Sequence, residues 1–179
     1  MVTFRASRLV AIASLFIGSA EARAVDKATE AGNHDRTTTV QVAGSGVDSL
    51  NTAIVHSKEV TQTGIIQRST ETVELKGDLN GRVLYHVTSV FDFVNGRLVN
   101  TGDQVYSGTI AGSAPVMIHD DQFRFDVNLV TGEETGRVYL FNHIAGPKFR
   151  CALNVVGTGL NSEGNPTFDY TGQCRFRGR

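Results

Sequence analysis

Four polar side chains stand among aromatic neighbours where proton transfer could be carried out. Asp169 is flanked by Phe168 and Tyr170, an acid between two rings that a flat ligand could meet. His143 closes the run Tyr139-Leu140-Phe141-Asn142-His143, on the same face of an extended segment as Tyr139 and Phe141. His86 and Asp92 also share a face of one extended segment. Their separation of six residues corresponds to about 20 Å along a strand, so each needs partners from other strands. An acid or imidazole in a partly dry interior has a shifted pKa and passes protons. Asp169, His143, His86 and Asp92 are therefore the candidate proton-transfer groups. Tyr85, Tyr139, Phe141 and Tyr170 are the candidate ligand walls. Strict alternation gives a second view of Asp169, in which it faces water while Phe168 and Tyr170 face inward. The sequence leaves the lumen-facing register open.

Other chemistries find little support. His119-Asp120-Asp121 is the densest polar cluster. It reads as a surface turn, with a weak calcium contact from the two Asp as the alternative, because metal sites need ligands converging from elsewhere. Glycine clusters at Gly77–Gly81, Gly108–Gly112 and Gly157–Gly159 lack the spacing of a phosphate loop and open no helix, so they read as turns and barrel bends. No nucleophile elbow, haem attachment, flavin or nucleotide fingerprint occurs, and neither a metal nor a cofactor is expected. With 17 basic and 18 acidic residues the formal charge is −1, which excludes a strongly basic nucleic-acid surface. Arg175, Arg177 and Arg179 share a face near the end and read as a solvated edge that discourages strand addition.

Met1 to Ala24 has the form of a secretory signal: Arg5 and Arg8, the apolar run Leu9–Gly18, then Ala22-Arg23-Ala24 at the cut. Cleavage removes three Arg and one Glu, taking the charge from −1 to −3. A secreted or periplasmic location follows, with no membrane association after cleavage. An uncut N-terminal anchor is the alternative, although the apolar run is short for a span. Cys151 and Cys174 are the two cysteines. An even count in an exported chain argues for one disulfide, here between strands that read as antiparallel neighbours.

The elements that must position these groups are strands. Residues 25–39 lack periodicity and read as a flexible leader, followed by a single barrel domain over 40–179. Val83, Tyr85, Val87 and Phe91 alternate with polar residues, as do Phe123, Phe125 and Val127, and Cys151, Leu153 and Val155. Asn95-Gly96 marks a tight hairpin. Strands are expected near 40–48, 53–63, 64–76, 81–94, 97–111, 114–130, 137–157 and 166–177, with no helix. Long strands on short hairpins favour an all-β, eight-stranded, antiparallel up-and-down barrel over a sandwich.

Leu75-Lys76-Gly77-Asp78-Leu79-Asn80-Gly81, Tyr106-Ser107-Gly108-Thr109, Gly157-Thr158-Gly159 and Tyr170-Thr171-Gly172 resemble the allene oxide cyclase-like barrel superfamily, in which dirigent proteins also fall. The resemblance spans about residues 53–178. It implies a homotrimer of eight-stranded barrels with a ligand cavity inside. It also implies cyclisation, radical coupling or tautomerising attack on heteroaromatics such as phenazines, without a metal redox centre. The expected function is thus an exported, cofactor-independent isomerase, cyclase, lyase or demethylase acting by proton transfer on a small apolar or heteroaromatic metabolite. An exported barrel that only carries such a ligand is the alternative, and a filled-core structural barrel is the third. A buried carboxylate in a cavity favours the first, and a solid interior leaves only the third.

Overall fold

Period two runs through segment after segment, and it is the pattern of a strand with one face turned to a core. The computed structural model describes residues 37–177. The expected signal segment and residues 25–36 of the expected leader lie outside these. Ten strands are formed: β1 Thr37–Asp48, β2 Ile54–Val60, β3 Gly64–Gly77, β4 Leu79–Asp92, β5 Arg97–Ile110, β6 Val116–Asn128, β7 Glu134–Leu140, β8 Asn142–Ala145, β9 Phe149–Leu160 and β10 Pro166–Arg177. The one helical element among the described residues is the 3₁₀ turn Leu50–Thr52. Thr37, Thr38 and Thr39, read from sequence as the end of a leader, belong to β1 and pair with Arg177, Phe176 and Arg175.

Each strand pairs antiparallel with its neighbour in the order β1-β10-β9-β7-β6-β5-β4-β3, and β1 pairs with β3 to close the ring. The result is an eight-stranded barrel in which the closing strand has no free edge over its paired length. The strand count agrees with expectation, but two of the staves differ. Residues 53–63 are not a full stave: β2 only continues the line of β1 along β3. Residues 137–157 are not one strand. Gly146 has φ +78, and Pro147 lacks an N–H, so the chain turns there between β8 and β9.

The two ends of the barrel are built differently. At the end carrying the β3–β4 and β5–β6 turns, the interior is solid. Leu79, Ile110, Ile118, Leu140, Cys151 and Cys174 are almost completely buried there. Cys151 and Cys174 face each other across the β9–β10 pair and form a disulfide. Tyr170 braces the same region. Its hydroxyl accepts from Leu79 N at 2.7 Å and lies 3.1 Å from the carbonyls of Lys76 and Leu79. Two glycines make that possible. A Cβ on Gly44 would lie 2.3 Å from the Tyr170 hydroxyl oxygen, and Gly77 takes the turn with φ +108.

At the other end the wall is incomplete. Pairing of β1 with β3 and β10 stops near Asp48. Beyond it β2 is paired with β3 alone, and all seven of its residues are exposed. The free edges of the sheet are therefore β2 and the Thr37–Val42 part of β1, not β10. Arg175 is exposed on a strand paired on both sides, so it guards no edge. Of the other two arginines in that proposed edge, Arg177 closes β10 and Arg179 lies outside the described residues.

A bulge in β6 sets the register of the interior. Gly102 faces Phe123 and Gln104 faces Asp120, so Asp121 and Gln122 together oppose Asp103. The inward set on β6 changes from Val116, Ile118 and Asp120 to Phe123, Phe125 and Val127. His119-Asp120-Asp121 is therefore mid-strand and not a surface turn. Asp120 is fully buried and accepts from Gln122 N at 2.7 Å, Gln104 Nε2 at 2.8 Å and Tyr139 N at 2.9 Å. Two of these bonds satisfy backbone N–H groups beside the bulge, and the third fixes the Gln104 amide.

Candidate functional site: an acid-lined cavity in the open half of the barrel

Inward-facing residues of the incomplete half leave a hollow of about 350 Å³. Its walls are mainly apolar, with Phe91, Phe123, Phe125 and Phe168 among them. Asp48 of β1, Leu50 of the 3₁₀ turn and Pro166 of β10 line it beside the unpaired stretch of wall. Asn165 Oδ1 accepts from Leu50 N at 3.2 Å and ties this turn to the β9–β10 hairpin.

Three carboxyl groups line the hollow: Asp48, Glu71 and Glu134. Among the described residues no Lys, Arg or His does so. Glu71 is buried one alternation step from Ser69, whose hydroxyl donates to it in a short contact. The Tyr85 hydroxyl lies 2.7 Å from Glu71 Oε2 and 2.7 Å from Asp48 Oδ2. The Tyr85 ring stands edge-on to Phe123, with centroids 6.0 Å apart.

A count of protons assigns the roles. A phenol has one hydrogen to donate. Two close contacts to carboxyl groups therefore need a second hydrogen, carried by one of the acids. Burial pushes the Asp48 carboxyl up to about 7 against the opposing Tyr85 hydrogen bond, and the Glu71 and Glu134 charges add to the rise. Tyr85 donates its one hydrogen to Asp48 or to Glu71, a proton on Asp48 below about pH 7 fills the second contact, and Ser69 donates to Glu71. Burial and the two adjacent carboxyls hold the Tyr85 hydroxyl far above the usual phenol range, so it stays protonated. Burial also raises the Glu134 carboxyl. The other oxygen of Asp48, Oδ1, is closed off from solvent and has no hydrogen-bond partner in the protein, and the same holds for Asn100 Oδ1. An acid at the cavity wall that titrates near neutrality and is held by a hydroxyl is arranged to exchange a proton with a guest.

Of the residues singled out from sequence, Tyr85 and Tyr170 line the hollow. The others lie elsewhere. Asp169 is exposed on the outer face of β10, while Phe168 and Tyr170 turn inward. His86 is exposed on the outer face of β4, 6.4 Å from the His56 ring. His143 is exposed on β8, and its Nε2 is 2.8 Å from the Gly146 carbonyl. Asp92 caps the β4–β5 turn, accepting from Asn95 N at 3.1 Å and Asn95 Nδ2 at 2.7 Å. These bonds hold its carboxyl below the usual range. Tyr139 and Phe141 form an edge-on pair with centroids 5.6 Å apart and do not line the hollow. The structure brings none of these six together with Tyr85.

Asp48, Glu71, Asn100 and Glu134 are the residues that sequence reasoning passed over. Their signal is parity. Asp48 is in phase with Val40 and Val42, Glu71 with Val73 and Leu75, Asn100 with Leu98 and Gln104, and Glu134 with Val138 and Leu140. A polar residue in phase with a buried apolar series is a lumen candidate; a polar residue out of phase, such as His86, is not.

Among the described residues no group of three or more His, Cys, Asp or Glu is placed to hold a metal ion, and no helix is long and apolar enough to cross a membrane. Comparison of the chain with family models, with curated proteins and with solved structures finds no match.

Proposed function

We propose that this chain is an exported barrel that binds a small apolar or heteroaromatic molecule in its open half and moves a proton on it. Asp48 is the group that gives or takes the proton. Tyr85 and Glu71 hold its carboxyl in place and keep the proton accounted for. The observation that carries this is the Asp48 carboxyl at the cavity wall, fixed by the Tyr85 hydroxyl and raised by burial to about 7. A hollow interior separates the protein from a barrel whose core is merely filled. An eight-stranded antiparallel barrel with acids inside supports the allene oxide cyclase-like reading, and the cross-strand disulfide supports export. The chemistry asked of these residues is a shift of hydrogen on the guest, as in isomerisation, cyclisation or tautomerisation.

The test is a panel of flat heteroaromatics and fatty-acid-derived epoxides, followed by mass spectrometry for altered products and by thermal shift for binding. The expected result is turnover of at least one compound by the native chain. In Asp48→Asn, turnover falls by about a hundredfold or more while the thermal shift persists. Turnover unchanged in Asp48→Asn overturns the role of Asp48. Binding by the native chain without any product leaves a carrier in place of an enzyme.

A further inference from the structure

The ionisable groups inside the hollow other than its tyrosines are all acids, beside the neutral Gln67, Ser89, Asn100 and Gln104. Asp48, Glu71 and Glu134 are acids, and Asn100 presents an amide oxygen without a partner. Among the described residues no basic side chain lines the hollow to neutralise the carboxyls. An anionic guest would meet like charge in a partly dry site, and a neutral hydrocarbon would leave the carboxyl charge unbalanced. A guest with an ammonium nitrogen balances the carboxyl charge. Aromatic walls also favour a cation over a neutral group.

We infer that the cavity selects an apolar amine, bound as its ammonium form, with the nitrogen at the Asp48 carboxyl and the apolar body along the phenylalanine walls. The inference deepens the proposed function, resting on the hollow being a ligand site, and it specifies the class of ligand. It also fixes a proton linkage. Asp48 of β1 is faced by Tyr85 from β4, Glu71 from β3 and Glu134 from β7. Protonated Asp48 lacks the charge that an ammonium seeks, so ammonium binding favours its ionised form. With Asp48 titrating at about 7, amine affinity rises as the pH passes upward through that value and then levels.

The experiment is calorimetric titration of the full chain with decylamine, decanol and decanoate, all below their micellar range. At mildly alkaline pH decylamine is expected to bind about tenfold more tightly than decanol, and decanoate most weakly. Decylamine affinity is expected to fall as the pH is lowered through about 7, with decanol unaffected. Asp48→Asn removes the amine preference and the pH dependence together. The native-chain pH series carries the test by itself should that variant not fold. Equal or tighter binding of decanol or decanoate overturns the amine assignment and leaves a ligand site in place. Failure of all three to bind overturns both.

Discussion

At the residue scale, one hydroxyl organises the interior. Tyr85 cannot donate to two carboxylates at once, and a proton on Asp48 fills the second contact below about pH 7. This has a consequence for stability with a definite sign. The Asp48 pKa is raised from an ordinary 3.8 to about 7 on folding. An acid with a raised folded pKa stabilises the fold fully below its unfolded pKa and loses that contribution as pH climbs through the folded value. The melting temperature of the native chain should therefore fall relative to Asp48→Asn between about pH 4 and about pH 7, then run parallel to it. The span is on the order of 4 kcal/mol before the partial exposure of Asp48 reduces it. Thermal melts of both chains across that range check this. A gap that widens toward low pH in favour of the variant would contradict it. The candidate site was only partly legible at this scale. Tyr85 was found because an aromatic residue in an alternating strand attracts notice. Asp48 and Glu71 were not, since an acid is ordinarily solvated and only its phase with Val42 or Val73 shows that it faces inward.

At the element scale, the strands were legible because each carries its own alternation. The β4–β5 hairpin at Asn95-Gly96 was equally plain, with Gly96 at φ +61. What the local pattern did not contain was the β6 bulge, which switches the inward phase between Asp120 and Phe123. Nor did it reveal the β7–β8–β9 break, where a left-handed glycine and a proline interrupt an otherwise apolar run. The disulfide belongs to this scale too. It joins directly opposed residues of β9 and β10 with a sequence separation of 23. Cross-linking a loop of that length limits the unfolded chain by about 3 kcal/mol. Reduction with a thiol should lower the melting temperature by several degrees, read by circular dichroism. An unchanged melt would mean that the bridge contributes nothing to stability.

At the scale of the whole molecule, closure by β1 decides where function can reside. One half of the barrel is plugged by Leu79, Ile110, Ile118 and the disulfide, and the other is hollow beside an incomplete wall. Filling the hollow should therefore separate binding from folding. Ser89, a buried lining residue on β4, is the place to do it. Ser89→Leu is expected to abolish the ligand-induced thermal shift and to leave the unfolding free energy within about 1.5 kcal/mol of the native value, measured in urea. A persistent shift in that variant would move the ligand elsewhere.

The amino-acid sequence by itself determined that the chain is all-β, antiparallel, hairpin-connected and bridged between Cys151 and Cys174, because alternation, turn residues and cysteine pairing act between near neighbours. Only the tertiary structure decided which face of each strand is the lumen, that β1 pairs with β3 to seal the ring, and that Asp48 and Glu71 from two strands meet at Tyr85. Those facts depend on register and closure between segments far apart in the chain, and no local run of residues encodes them.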